Sequence, residues 1–373
     1  MNVLHVHSGN MFGGVERMLE TLSPATAGRA PVHSTFALCF EGRAAETLRA
    51  AGADVHVLGP VHARQMSEIR QARRALTGVL QSARWEAVVV HSAWSQAIFG
   101  PTILNSPTPL VRWLHAPQPG TRAFEFWASR SRPALVLCNS LYTRAAVGNR
   151  FGKVPLSVFY PPAVGVPHRP ERRADVRRSI GAAPDVTAIA IAARMESWKG
   201  HELLISALSA LASTAWEAWI VGGPQNASER TYFESLMQQV EAAGLTARVR
   251  FLGERADVQA LLQAADIYCQ PNLGAEPFGL AFVEALDAGL PVVTTKLGAA
   301  PEIVDDSCGE LVEPGSVTAV TGGLERLIAR DELRLALSTG ARARARKFCD
   351  LPASLLRLAA ELAPVATPVP LLT

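Results

Sequence analysis

From Ile267 to Thr295 the chain reads as strand, loop, helix and strand, an order that admits few folds. Ile267-Tyr-Cys-Gln270 is a short strand-like run. Glu276-Pro-Phe-Gly-Leu-Ala-Phe-Val-Glu284 follows, with apolar residues at 278, 280, 282, 283 and 286 on one side of a helix. Gly289 before Pro291 stops that helix, and Pro291–Thr295 starts the next strand. This is a βαβ crossover, and in an open α/β sheet ligands sit beyond the carboxyl ends of the strands. Glu276 falls at the mouth of the helix and Glu284 inside it. Two readings stay open: a cap and a solvated helix face, or two carboxylates turned toward a ligand.

The same alternation runs through the rest of the chain. Residues 3–7 read as a strand, Gly9–Gly14 as a glycine turn, and 15–22 as a helix with its apolar face at 15, 18, 19 and 22. The turn lacks the G-x-G-x-x-G spacing of dinucleotide sites, which weighs against an NAD-dependent oxidoreductase or epimerase. Gly13 and Gly14 either let a phosphate or sugar approach backbone N–H groups or make a turn at positive φ. Strands at 32–38, 55–58 and 87–91 alternate with helices at 42–51 and 65–83, and Ser92, Trp94 and Ser95 follow at a sheet edge. Leu110–His115 is a strand that puts His115 at its carboxyl end, as a structural hydrogen-bonder or a site residue. Asn139 and Ser140 stand before a helix, where Ser140 suits an N-cap.

Residues 163–184, with three prolines among arginines, read as a linker. The strand at 186–193 runs into Arg194-Met-Glu-Ser-Trp-Lys-Gly-His201. Arg194 offers a fixed fork and Lys199 a compact charge, a combination suited to a diphosphate, or else a charged loop facing solvent. Gly222 or Gly223 ends the strand at 218–222, and residues 249–253 form another strand with Arg250 and Leu252. Helices are expected near 317–329, 331–347 and 351–361, with a loose Pro-rich end after 362.

A chain of 373 residues suits two α/β domains rather than one core. The formal charge of +3 excludes a strongly basic nucleic-acid module, and no nucleic-acid partner is expected. Five cysteines, at 39, 138, 269, 308 and 349, show no metal spacing and fit a reducing compartment. Met1 leads straight into a strand without a signal-peptide pattern, and no apolar run approaches about 18 residues. The expected location is cytoplasmic. Arg70, Arg73, Arg74 and Arg84 lie in or beside the 65–83 helix; sharing a face with Trp85 or an apolar ridge, they would permit peripheral contact with the inner face of the membrane.

The Glu276–Glu284 stretch resembles the E-x7-E signature of retaining glycosyltransferases that use nucleotide sugars, in the GT-B family 4 (glycosyl transferases group 1). The resemblance covers nearly the whole chain. It implies an α/β fold of two facing Rossmann-like domains with an interdomain cleft, at 1–165 and 166–348. Residues 349–373 would then hold a helix crossing back to the first domain, and a tail. It also implies transfer of a hexose-type sugar from a nucleotide diphosphate sugar to a glycan, lipid-linked or small-molecule acceptor, with no metal or other cofactor. By resemblance Glu276 lies against the donor sugar and His115 near its C6 hydroxyl. Arg194, Lys199, Gly13, Gly14, Phe278 and Gly279 border the diphosphate. Glu284 holds the ribose, and Gly222, Arg250 and Leu252 adjoin the nucleotide. The alternatives are a non-catalytic nucleotide-sugar or glycan-binding module, the oxidoreductase or epimerase above, and a hydrolytic glycosidase using the two carboxylates.

Overall fold

The computed structural model describes residues 1–9, 13–23, 31–117, 122–212 and 215–366. Residues 10–12 of the glycine turn, residues 118–121 after His115 and the end of the Pro-rich tail lie outside the described residues. The chain divides into two compact units, one of Met1–Val164 together with the segment from Asp350, the other of Gly165–Cys349.

The first unit is built on seven parallel strands: β1 (Asn2–His7), β2 (His33–Leu38), β3 (Asp54–Val57), β4 (Ala87–Val90), β5 (Leu110–Leu114), β6 (Leu135–Cys138) and β7 (Leu156–Val158). Their order is β3-β2-β1-β4-β5-β6-β7. Every residue of β4, β5 and β6 is buried, as parallel strands require when helices cover both faces. On one face Ile69, Ala72, Leu76 and Val79 pack at helical spacing with Ile98, Phe99 and Ile103 of the next helix. On the other face lie Met18 and Leu19, Ala44, Ala45 and Leu48, and Leu351, Leu355, Leu358 and Leu362 of the Leu351–Leu362 helix. Asp350 caps that last helix by accepting the Ala353 N–H at 3.0 Å.

Ser92 gains a capping role here, and one sequence expectation changes. Ser92 caps the Ala93–Leu104 helix by accepting the Ser95 N–H at 2.9 Å, so its hydroxyl has a structural task. Trp85 is buried with its indole N–H donated to the Val79 carbonyl at 3.0 Å, and the Arg73 guanidinium donates to the Ile98 carbonyl at 2.6 Å. The arginine-rich helix therefore shares no exposed face with Trp85, and the membrane contact expected there loses its aromatic anchor. Among the described residues no helix is long and apolar enough to cross a membrane.

The second unit carries six parallel strands: β8 (Thr187–Ala192), β9 (Trp216–Val221), β10 (Val249–Gly253), β11 (Ile267–Gln270), β12 (Val292–Thr295) and β13 (Gly309–Val312). The order is β10-β9-β8-β11-β12-β13. Each sheet reverses its winding once, between β1 and β4 in the first and between β8 and β11 in the second. At such a reversal the connections leave to opposite sides and open a crevice at the carboxyl ends. His7 and His91 stand at the first reversal; Arg194, Gln270 and Asn272 stand at the second.

Candidate functional site

In the second unit, backbone hydrogen bonds between loops place the site. The turn at Ser197–Lys199 follows β8, and its Trp198 carbonyl accepts the N–H groups of Leu273 at 2.8 Å and Gly274 at 3.2 Å. Gly200 has φ +80°, and a Cβ there would lie 2.0 Å from the Pro271 carbonyl oxygen, so only glycine allows the two loops this approach. From the other side the Ala299 N–H donates to the Glu276 carbonyl at 2.8 Å, and a Cβ on Gly298 would lie 2.2 Å from that same oxygen. Glu276 is thus clamped between loops that end different strands.

The result is a pairing that spacing alone does not give. Lys199 Nζ lies 2.8 Å from Glu276 Oε2 and 3.9 Å from the centre of the Trp198 ring. The same carboxylate oxygen accepts from Asn272 Nδ2 at 3.2 Å and Gln270 Nε2 at 3.4 Å. Behind it, Gln270 Nε2 donates to Asn272 Oδ1 at 2.9 Å and the Tyr268 hydroxyl to Gln270 Oε1 at 2.6 Å. Burial, with the Glu284 and Glu276 charges adding to it against a bond to the Ala192 carbonyl, holds the Tyr268 hydroxyl well above its ordinary pKa. Tyr268 therefore stays a neutral donor. Gln270 was not singled out from sequence, although Tyr268 and Gln270 alternate on one face of an otherwise apolar strand.

Glu276 is not a helix cap. The helix runs Leu280–Asp287, its N-cap is Gly279 at φ 101°, and no side chain caps it. The first amides of that helix, left without a side-chain acceptor, point the positive end of its dipole at the same loop. Phe278 is buried with its ring 5.9 Å from that of Phe348, so only its main chain faces the loop. Glu284 is half-buried in the second turn of the helix.

Arg194 follows β8, with its guanidinium on the Glu229 carboxylate and 3.4 Å from Glu196. Glu229 is itself fixed by the Gln225 N–H at 2.7 Å and Asn226 Nδ2 at 3.0 Å. Gly222, at φ 134°, follows β9; a Cβ there would lie 2.0 Å from the Ala193 carbonyl, so close packing against the end of β8 is one full reason for the glycine. Arg250 is not brought to this edge. It is the second residue of β10 and turns to Glu217, the second residue of β9, at 3.4 Å, while that carboxylate also takes the Trp219 indole N–H at 2.9 Å. Leu252, half-buried, lies nearer the carboxyl end of β10.

In the first unit, Gly13 is the N-cap of the Gly14–Thr21 helix at φ −163°, an extended conformation open to any residue, so positive φ does not explain it. Its N–H donates to Glu16 Oε2 at 2.8 Å, and Glu16 Oε1 lies 2.6 Å from His7 Nε2. Burial would raise the Glu16 pKa, but the His7 and Gly13 bonds bring it below the usual carboxylate value. His115 closes β5 with Nε2 2.9 Å from His91 Nδ1, and its carbonyl accepts Asn139 Nδ2 at 2.9 Å. His5, His7, His91 and Glu16 were missed from sequence. The signal is a histidine inside or just past three apolar strands, at Val6-His7, Val90-His91 and Leu114-His115. A cavity of about 790 Å³ opens on the same strand edge, lined by Ser8, Phe40, His62, Arg64, Ser92 and Trp94 among others.

Known proteins point the same way. The family model described as glycosyl transferases group 1 matches residues 172–344, which take in every residue of the Lys199–Glu276 network. The chain is 41% identical over 97 residues, 25% of this chain and 26% of the relative, to a phosphatidyl-myo-inositol mannosyltransferase of Mycobacterium leprae. It is 28% identical over 282 residues, 73% of this chain and 66% of the relative, to a D-inositol 3-phosphate glycosyltransferase of Actinosynnema mirum. The matches thus span from about a quarter to two thirds of those relatives' lengths. The crystal structure of Anabaena Alr3699/HepE in complex with UDP and glucose superposes with a TM-score of 0.86 at 23% identity, over 98% of this chain and 100% of that one. The two Rossmann-like sheets thus have the GT-B fold, and residues 172–344, in the second unit, carry the sequence of the glycosyl transferases group 1 family.

Proposed function

We propose that the protein is a retaining glycosyltransferase that moves a hexose from a nucleoside diphosphate sugar to an acceptor hydroxyl, in glycan or glycolipid synthesis and without a metal. The observation that carries this is the Lys199–Glu276 pair beside an uncapped helix start at the second sheet's reversal. Cleaving the bond from the anomeric carbon to the phosphate oxygen leaves negative charge on the diphosphate. Lys199 and the first amides of the Leu280–Asp287 helix are fixed donors for that charge, and fixed donors need no reorganisation as it develops. The acceptor oxygen bonds to the anomeric carbon on the same face, and its proton passes to the departing phosphate oxygen. Glu276, held by two amides besides Lys199, orients the sugar, Glu284 the ribose, and Arg194 the diphosphate through whichever N–H groups Glu229 leaves to it. Gly13 and Gly14 border the donor phosphate, and His115 the transferred sugar.

The relatives named for phosphatidylinositol and inositol phosphate acceptors support a polar ring as acceptor. The cavity lined by Phe40, Trp94 and Arg64 suits such a ring, since sugars and cyclitols lie on aromatic faces. The deciding experiment screens UDP-, GDP- and ADP-sugars by thermal shift. Product mass and anomeric configuration are then followed with sugar and inositol acceptors. An α-linked product from an α-donor is expected; a β-linked product removes the retaining mechanism, and absence of product with every pair removes the transferase reading.

A further inference from the structure

Three imidazoles, with His5 and His91 buried and His115 half-buried, form a single file through the first sheet. His5 Nδ1 lies 3.0 Å from His91 Nε2, and His91 Nδ1 lies 2.9 Å from His115 Nε2. Neighbouring ring planes are tilted by only 23° and 18°. The file crosses the winding reversal, from inside β1, past the end of β4, to the end of β5, so each ring stands closer to the carboxyl edge than the last. Trp113, fully buried, packs on the second and third rings, with centroids 5.6 Å from His91 and 5.5 Å from His115. The file is no metal site: its nitrogens are turned on one another, and among the described residues no three His, Cys, Asp or Glu are grouped to hold an ion.

A neutral imidazole has one N–H and one lone pair. His91 uses both of its ring nitrogens, so one donates and the other accepts, and the file has only two states. With its hydrogens pointing inward, His5 carries an N–H at Nε2, an atom that is buried and has no partner among the described residues. Pointing outward, that atom is a bare lone pair, and buried orphan N–H groups are the rarer of the two. The outward state has His5 donating to His91 and His91 to His115. His115 Nε2 is then the acceptor, and its proton sits on Nδ1, which is bonded to none of the described residues. Burial holds all three rings neutral, with His5 and His115 lowered to about 3 and His91 well below its ordinary value.

We propose that His5 and His91 are positioning residues that lock His115 as a neutral Nδ1–H donor, so that it recognises a hydroxyl oxygen of the transferred sugar. This rests on the proposed transferase reading, and its test separates the two. Nitrogen-15 correlation spectra of the histidine rings report the tautomers directly, with no substrate present. Expected are a protonated Nδ1 and an unprotonated Nε2 on all three rings. The opposite pattern, or shifts averaged between tautomers, overturns the proposal whatever the protein's activity. His91→Phe should collapse the His115 shifts toward the average. It should also lower saturated turnover about tenfold, on the scale of one neutral hydrogen bond, with nucleoside diphosphate affinity unchanged. His5→Phe, which removes one bond at the far end of the file, should act in the same direction by about threefold through weaker polarisation of the next bond, and it keeps the test alive should His91→Phe fail to fold. Unchanged His115 shifts in a folded variant, or normal turnover in both folded variants of an active enzyme, overturn the lock.

Discussion

At the scale of single residues, the charges at the site are distinguished by what remains when each is removed. Glu276 has two amide donors besides Lys199, so Lys199→Ala leaves its carboxylate hydrogen-bonded, and the main loss falls on the incoming diphosphate. Calorimetric titration with nucleoside diphosphate should show affinity weaker by about 1.5–3 kcal/mol, the worth of a charged hydrogen bond; unchanged affinity would take Lys199 off the diphosphate. Glu276→Gln should keep the bare diphosphate's affinity and lower saturated turnover, if the sugar is the carboxylate's partner in transfer as proposed. Glu284→Ala should weaken diphosphate and nucleotide sugar by similar factors, the mark of uniform binding. Kinetics and titrations on the two variants separate these roles, and the reverse pattern would exchange the assignments.

At the scale of elements, two glycines hold the loops that bring Lys199 and Glu276 together. Gly298→Ala places a methyl against the Glu276 carbonyl at a φ of +63°, and Gly200→Ala does the same against Pro271 at +80°. Left-handed backbone costs a non-glycine residue about 1–2 kcal/mol before any clash is counted. Each variant should lower thermal stability and diphosphate affinity together, as the loop withdraws its charge. Gly315→Ala makes the control: its φ is +72°, but no atom of the described residues lies within 4 Å of the added Cβ, so it should cost stability alone. A Gly200→Ala protein that matched this control in affinity would separate the loop contact from the binding of diphosphate.

For the whole molecule, the first unit is completed by the far end of the chain. Leu358 is fully buried in the cluster shared by β1, β2 and β5, so Leu358→Ala should destabilise that unit by about 2–5 kcal/mol. Urea unfolding followed by amide hydrogen exchange in β1 and β5 would read it, and a shift under 1 kcal/mol would put the helix outside the folding unit. Acid should act on the same unit. The buried His5 binds its proton at about 3 in the folded protein against an ordinary 6.5, so below about 6.5 the unfolded chain takes up protons that the native one does not. Stability is therefore lost as pH falls from 6.5 toward 3, by up to about 1.4 kcal/mol per pH unit for each such histidine. His5→Phe should make the decline between pH 7 and 5 shallower, and an unaltered slope would contradict the buried neutral state.

By itself the sequence determined the order of strands and helices, and with it which residues end a strand. Apolar period and glycine or proline punctuation are local properties, so the β8 loop with Lys199, the Glu276 turn and the β5 end with His115 were all legible. What each of those residues touches was decided by tertiary structure. Lys199 meets Glu276 only because two loops are bonded backbone to backbone, and Arg250 leaves the ligand edge because Glu217 lies beside it on the neighbouring strand. The file of histidines was hidden for the same reason. His5, His91 and His115 read as three separate strand residues until the winding order sets β1 beside β4 and β4 beside β5; a hydrogen bond depends on distance in space, which one-dimensional spacing does not carry.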